Sequence, residues 1–141
     1  MRGTSTPRLD DKWRLTLPIR HRTALTNEIT VVCAPEHCLF VYPTAVLDDE
    51  LADVNNASPT WRRVRDYQRW INSRAEDVTP DGQGRITLTA AQREWAGLDK
   101  DVVVVGSGKR LEVWNPERWV AYRQPLDDQF EDFDGEIVPR S

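Results

Sequence analysis

Apolar residues along this chain come in short β-branched runs bounded by turn residues. Ile29-Thr30-Val31-Val32-Cys33 and Leu39-Phe40-Val41-Tyr42 flank Ala34-Pro35-Glu36-His37, and Val102-Val103-Val104-Val105 and Leu111-Glu112-Val113-Trp114 flank Gly106-Ser107-Gly108-Lys109. Runs of this length and composition predict two β-hairpins. Helical spacing appears elsewhere. Residues 44 to about 55 form one predicted helix, and Ser58-Pro59 opens another that runs to about Arg74. In the latter, Trp61, Val64, Tyr67 and Ile71 recur at intervals of three and four on one face, opposite Arg62, Arg65 and Arg69. Asn115-Pro116 starts a helix that carries Trp119 and Tyr122. A short helix near Ala90 has Thr89 and Gln92 as a capping box and Gly97 to end it, and Pro18 stands at the corresponding start in the first half. From Leu126 onward, polar and acidic residues lose periodicity, which predicts a frayed tail.

The pattern occurs twice. Asp10-Asp11-Lys12-Trp13-Arg14-Leu15-Thr16-Leu17 aligns with Asp81-Gly82-Gln83-Gly84-Arg85-Ile86-Thr87-Leu88 at a shift of 71, and residues 39–42 align with 111–114 at a shift of 72. Each half reads as an Asp/Arg turn, a short strand, a short helix, a hairpin and a longer helix. A module of about 50 residues buries too little surface to be comfortable alone, so the two halves are expected to pack on each other as a pseudo-dimer. The resulting division is a first module over 1–56, a connecting helix over 57–75, a second module over 76–125 and an acidic tail over 126–141.

Charge distribution changes the meaning of the net charge. The whole chain carries −4, but six acids and one base lie from Leu126 onward, leaving 18 bases and 17 acids in the remainder. Arg2, Arg8, Lys12, Arg14, Arg20 and Arg22 face only two acids within the first 25 residues. A basic end of this kind suits contact with a polyanion. The chain has no apolar stretch long enough for a membrane span, and no apolar run follows Arg2 as a secretory signal requires. A cytoplasmic location is expected.

The most specific local signal is Asp-x-x-x-Arg, at Asp10/Arg14 and Asp81/Arg85. Across a tight turn, the carboxylate can return to the guanidinium or to backbone N–H groups. Two readings stand: a salt bridge that fixes a β-turn, or a carboxylate that shapes the turn while the arginine is presented to a ligand. Arg can grip phosphate or, bidentately, the edge of guanine, and Lys12 adds a point charge. Arg62, Arg63, Arg65, Arg69 and Arg74 form a second basic group, expected to pair with Asp48-Asp49-Glu50 or with the tail, or else to lie at a subunit interface. Cys33 and Cys38 flank a turn containing His37 and could face one another, yet no second pair of ligands exists for a structural metal. The residues around Lys109 lack the first glycine and the Ser/Thr of a phosphate loop. His21 and His37 are the only histidines, and no nucleophile or acid pair forms a catalytic set. Neither an enzyme, a cofactor nor a small-molecule substrate is expected.

Thr6-Pro7-Arg8-Leu9-Asp10-Asp11-Lys12 with Arg14-Leu15-Thr16-Leu17-Pro18 resembles the opening of the bacterial MraZ family. Pro80-Asp81-Gly82-Gln83-Gly84-Arg85-Ile86-Thr87-Leu88, residues 97–106 and Leu111-Glu112-Val113-Trp114 extend the resemblance over roughly residues 3–134. It implies an α+β, β-rich fold of two tandem AbrB-like swapped-hairpin modules packed as a pseudo-dimeric β-barrel with peripheral helices. It also implies a nucleoid-associated ring that binds repeated DNA boxes upstream of the division and cell-wall cluster and regulates transcription. By position, Lys12 and Arg14 would be the main DNA-reading residues, with Arg85 as second-half counterpart and Arg8 in support. Asp10, Asp81 and Gly84 would shape the turns. Where the family has glycine in its first motif, this chain has Trp13. If that position needs φ > 0, tryptophan is strained there, and its ring would stack on a base or sugar or pack between subunits. Two other readings remain: an assembly protein with reduced DNA affinity, and an antitoxin-like partner.

Overall fold

The two halves exchange strands. In the computed structural model, which describes residues 1–133 together with 135, 137 and 138, the first half contains β1 (Thr4–Ser5), β2 (Arg14–Thr16), a 3-10 turn (Ile19–His21), β3 (Ile29–Cys33), β4 (Leu39–Pro43), α1 (Thr44–Glu50) and α2 (Ala52–Asn56). Helix α3 (Arg62–Ser73) connects it to β5 (Ala75–Val78), β6 (Arg85–Thr87), α4 (Ala90–Ala96), β7 (Val103–Ser107), β8 (Arg110–Trp114) and α5 (Pro116–Phe130). A six-stranded antiparallel sheet runs in the order β1-β7-β8-β4-β3-β5, and β2 pairs with β6 in a separate ribbon. Thus β1 joins the second half's hairpin and β5 joins the first half's.

The register gives this exchange an approximate twofold axis. Leu15 lies opposite Ile86 in the ribbon, and Phe40 lies opposite Glu112 at the centre of the sheet. These are the same pairs that the sequence repeat aligns. Strand alternation then sets the layers. Leu15, Leu17, Ile86 and Leu88 from the ribbon meet Val31, Leu39, Val41, Val104, Leu111 and Val113 from the sheet in one core. On the sheet's other face, Val32 and Tyr42 pack with Leu47 of α1 and Ile71 of α3, while Val103 and Trp114 pack with Trp119 of α5.

The architecture is therefore α+β with a mostly antiparallel sheet and peripheral helices. Among the described residues the six-stranded sheet ends at β1 and β5 without closing into a barrel. With two residues in β1 and three in each ribbon strand, no hydrogen-bonded ladder continues from one sheet to the other. No helix among the described residues is long and apolar enough to cross a membrane.

Several elements differ from the sequence expectation for local reasons. The predicted helix over 44–55 breaks at Leu51, whose ψ of 1° leaves the helical range, so α1 and α2 are separate. Helix α3 begins at Arg62, because Ser58 bonds Thr60 and its carbonyl accepts from Trp61 in a preceding turn. Its expected apolar face is only partly covered: Ile71 is buried, whereas Trp61 and Tyr67 are exposed. The two short helices are unequal as well. Thr89 and Gln92 complete their capping box and α4 forms, with Gly97 ending it at φ 64°. Pro18 supplies no side-chain cap, and only a 3-10 turn follows.

Residues 126–130, expected to open the tail, belong to a helix. Asn115 Oδ1 accepts from the N–H groups of Glu117 and Arg118, Pro116 follows at the helix start, and α5 continues through Pro125 to Phe130. Asp134, Glu136 and residues 139–141 lie outside the described residues.

The arginines of α3 and Arg74 at its end do not make the first of the pairings expected of them, with Asp48-Asp49-Glu50. Arg69 pairs with Asp66 at 3.1 Å, Arg65 donates to the Pro59 carbonyl, and the Arg74 guanidinium sits 4.3 Å from the Trp95 ring centroid. Among the described residues, no ion pair links them to Asp48, Asp49 or Glu50. Cys33 and Cys38 do not face each other either, because Cys33 pairs in register with Leu39. Cys33 packs against the main core and Cys38 lies in the cluster under α5.

Candidate functional site

The two Asp-x-x-x-Arg motifs fold into nearly identical turns. Asp10 Oδ1 accepts from the backbone N–H groups of Lys12 and Arg14, both at 2.9 Å, and its Oδ2 accepts from Arg14 Nε at 2.6 Å. Asp81 does the same for Gln83, Arg85 and Arg85 Nε at 2.9, 2.9 and 2.7 Å. The Arg14 and Arg85 backbone N–H groups are the main cause holding the two carboxyls below their ordinary range, aided by the guanidinium groups and opposed by partial desolvation. These contacts are the salt bridge that fixes a β-turn, and each also fixes the arginine that makes it. Each guanidinium uses Nε on its aspartate, and the side chains retain 28% and 25% of their exposure.

The ribbon brings the two arginines onto one face. Arg14 lies opposite Thr87, and Thr16 opposite Arg85, so Arg14 and Arg85 are diagonal neighbours on the side away from Leu15 and Ile86. Lys12 projects, exposed, from the first turn. Asp10, Lys12, Arg14, Asp81, Gly84 and Arg85 thus form one assembly at the ribbon. Arg8 is placed differently. It forms an isolated bridge with Asp101 and an ion pair with that side chain at 3.0 Å, beside Asp99 and Glu117.

The turns require a left-handed residue, with Gly84 at φ 72° and Trp13 at φ 59°. The Trp13 ring packs against its own chain's core, and Arg93 Cζ and Lys100 Nζ each lie 4.0 Å from its centroid. Lys100 Nζ also donates to the Asp10 carbonyl at 3.0 Å. Arg93 and Lys100 are parts of this site that the sequence reading passed over. The repeat contained a signal for one of them, since a shift of 71 carries Arg22 onto Arg93.

A duplicated β-module with paired, aspartate-held arginines on a two-stranded ribbon defines a class of double-module proteins in which each half completes the other. Residues 1–69 and 71–137 each match the family described as "MraZ protein, putative antitoxin-like", and the chain belongs to that family. It is 42% identical over 137 residues to "Transcriptional regulator MraZ" of Saccharopolyspora erythraea, covering 97% of this chain and 96% of the relative. The proteins of the same name from Frankia alni and Salinispora tropica are 41% and 40% identical, again over 97% of this chain and 96% of theirs.

Proposed function

We propose that this protein is a transcriptional regulator that binds double-stranded DNA through the β2–β6 ribbon and has no enzymatic role. The observation that carries the reading is the pair of aspartate-held arginines, Arg14 and Arg85, on one face of that ribbon. The major groove, about 12 Å wide, admits a two-stranded ribbon, and arginine grips guanine edges or phosphates there. Fixing each guanidinium in advance lowers the ordering cost of binding. Lys12 adds charge at the rim, and Arg8, off the ribbon and beside Asp99, Asp101 and Glu117, is in support. The names of the relatives support regulation of transcription.

The finer assignment is binding to repeated promoter boxes of the division and cell-wall cluster by a homo-oligomeric ring, in the cytoplasm at the nucleoid. A ring would present several such ribbons to successive boxes, so modest contacts add through effective concentration. Within each subunit, the core shared by the ribbon and the six-stranded sheet supports the reading of a barrel-like pseudo-dimer.

Fluorescence anisotropy tests the reading, with DNA from upstream of the protein's own gene and a scrambled control at several salt concentrations. Arg14→Ala and Arg85→Ala are expected to weaken binding at least tenfold while leaving assembly intact. Equal binding to both DNAs, or unchanged affinity in these variants, overturns it.

A further inference from the structure

Arg22 and Arg93 stand 71 residues apart, the shift that relates the two turns, yet neither arginine packs on the turn of its own half. Arg22 of the first half lies on Gly84 of the second. A Cβ at Gly84 would come within 2.7 Å of Arg22 Nε, 3.0 Å of its Cδ and 3.1 Å of its Cζ, so the Arg22 side chain occupies the place where a side chain at Gly84 would begin. Arg22 Nε donates to the Leu17 carbonyl at 3.0 Å, and the Leu17 N–H donates to the Gly84 carbonyl at 2.8 Å, closing a loop of contacts around the second turn. Arg93 of the second half mirrors this on the first turn. Its guanidinium lies 4.0 Å from the Trp13 ring centroid, and the Leu88 N–H donates to the Trp13 carbonyl at 3.0 Å. One difference breaks the symmetry: Arg22 Nε bonds the Leu17 carbonyl, whereas Arg93 Nε is buried without a hydrogen-bond partner and its guanidinium lies over the Trp13 indole.

We propose that Arg22 and Arg93 are positioning residues of the DNA-contacting ribbon, each bracing the arginine-presenting turn of the opposite half. The braces bind the two turns into one unit, so that Arg14 and Arg85 are held in fixed relation to each other as well as to their aspartates. Arg22, anchored on the Leu17 carbonyl of its own half, braces the second turn by contact at Gly84, and Arg93 braces the first by stacking on Trp13. This inference rests on the DNA-binding reading.

A charge-preserving substitution separates bracing from direct attraction of phosphate. Arg22→Lys and Arg22→Gln, and the same pair at Arg93, are measured by anisotropy across a salt series. Bracing needs the flat guanidinium, so lysine is expected to do no better than glutamine: both weaken binding about tenfold, a change of about 1.4 kcal/mol, with the salt slope unchanged. A phosphate contact would instead reduce the log–log slope by about 0.9 in the glutamine variants and survive in the lysine variants. That result overturns the proposal.

Amide hydrogen exchange without DNA gives a second readout. Arg22→Gln should speed exchange of the Gly84 N–H, which donates to the Asp81 carbonyl, and spare the Trp13 N–H, which donates to that of Asp10. Arg93→Gln should do the reverse. Loss of this crossed pattern overturns the brace even if DNA binding stands. Wild-type protein that binds no DNA overturns the functional reading, while a crossed exchange pattern would still establish the brace.

Discussion

Trp13 holds at φ 59° the left-handed backbone conformation that Gly84 holds at φ 72° in the second copy of the turn. The turn is thus the same whichever residue stands there, and tryptophan bears a penalty that glycine escapes, about 1–2 kcal/mol. What offsets the penalty is the ring, which packs on the core and receives Arg93 and Lys100. Trp13→Ala removes the ring and keeps the strain, so it should destabilise by about 2 kcal/mol. Trp13→Gly removes both and should be about 1 kcal/mol more stable than the alanine variant. Urea unfolding of the three proteins checks this. Equal stabilities for alanine and glycine would show that the left-handed conformation costs nothing there.

The aspartates set the acid limit of the site. Asp10 and Asp81 have carboxyls held below their ordinary value of 3.8 by hydrogen bonds from the turns. A lowered folded value means that their contribution to stability is complete above the ordinary value and disappears as pH falls through the lowered one. The turns should therefore persist unchanged from pH 8 down to about 5. Carboxyl-carbon titration by NMR should give midpoints below 3.8 for both residues, and Asp10→Asn and Asp81→Asn should release the arginines and weaken DNA binding. An ordinary midpoint at either aspartate would contradict the hydrogen-bonded turn.

His21 titrates with a different midpoint and the same sign. It is buried, with Nε2 3.0 Å from the Arg2 carbonyl and 3.2 Å from Arg20 Nε. Burial pushes its pKa below the ordinary 6.5, the Arg2 carbonyl acts in the opposite direction, and the charges of Arg20 and the N-terminus lower it further. The neutral ring is the folded form, so stability is full above pH 6.5 and declines as pH falls through the lowered value. The melting temperature should drop between pH 7.5 and 5.5 in the wild type, and His21→Gln should flatten that drop. An equal drop in the variant would assign it to other groups.

The doubled hairpins, the two Asp/Arg turns and the capped helix α4 were legible in the sequence because each depends on contacts within a few residues. Even the twofold arrangement was implicit, since residues aligned by the repeat, such as Leu15 and Ile86, became direct partners. Strands β1 and β5 were not legible. They are short, largely exposed, and exist only because the other half offers a strand to pair with. The placement of Arg93 over Trp13 failed to appear for the same reason, being a contact between halves. The break at Leu51 is a backbone departure with no capping side chain, and α5 runs past Leu126 without burying a residue, so apolar periodicity marks neither.

Arg110 and Glu112 show how the centre of the sheet tolerates charge. Glu112, nearly buried opposite Phe40, accepts from Arg110 Nε and Nη2 at 3.0 and 2.8 Å and from Trp114 Nε1 at 3.0 Å. The Arg110 guanidinium also lies 4.0 Å from the Phe40 ring centroid. Removing the acid alone strands two donors in a poorly solvated place, and Glu112→Leu should destabilise by about 3 kcal/mol. Removing the arginine as well abolishes the unpaired charge, so Arg110→Met in the Glu112→Leu background should restore about half of that loss. Denaturant unfolding of the four proteins forms a closed cycle. If the double variant loses as much as the two single variants summed, the pair is uncoupled, and the central strands owe their pairing to the backbone ladder and the apolar face alone.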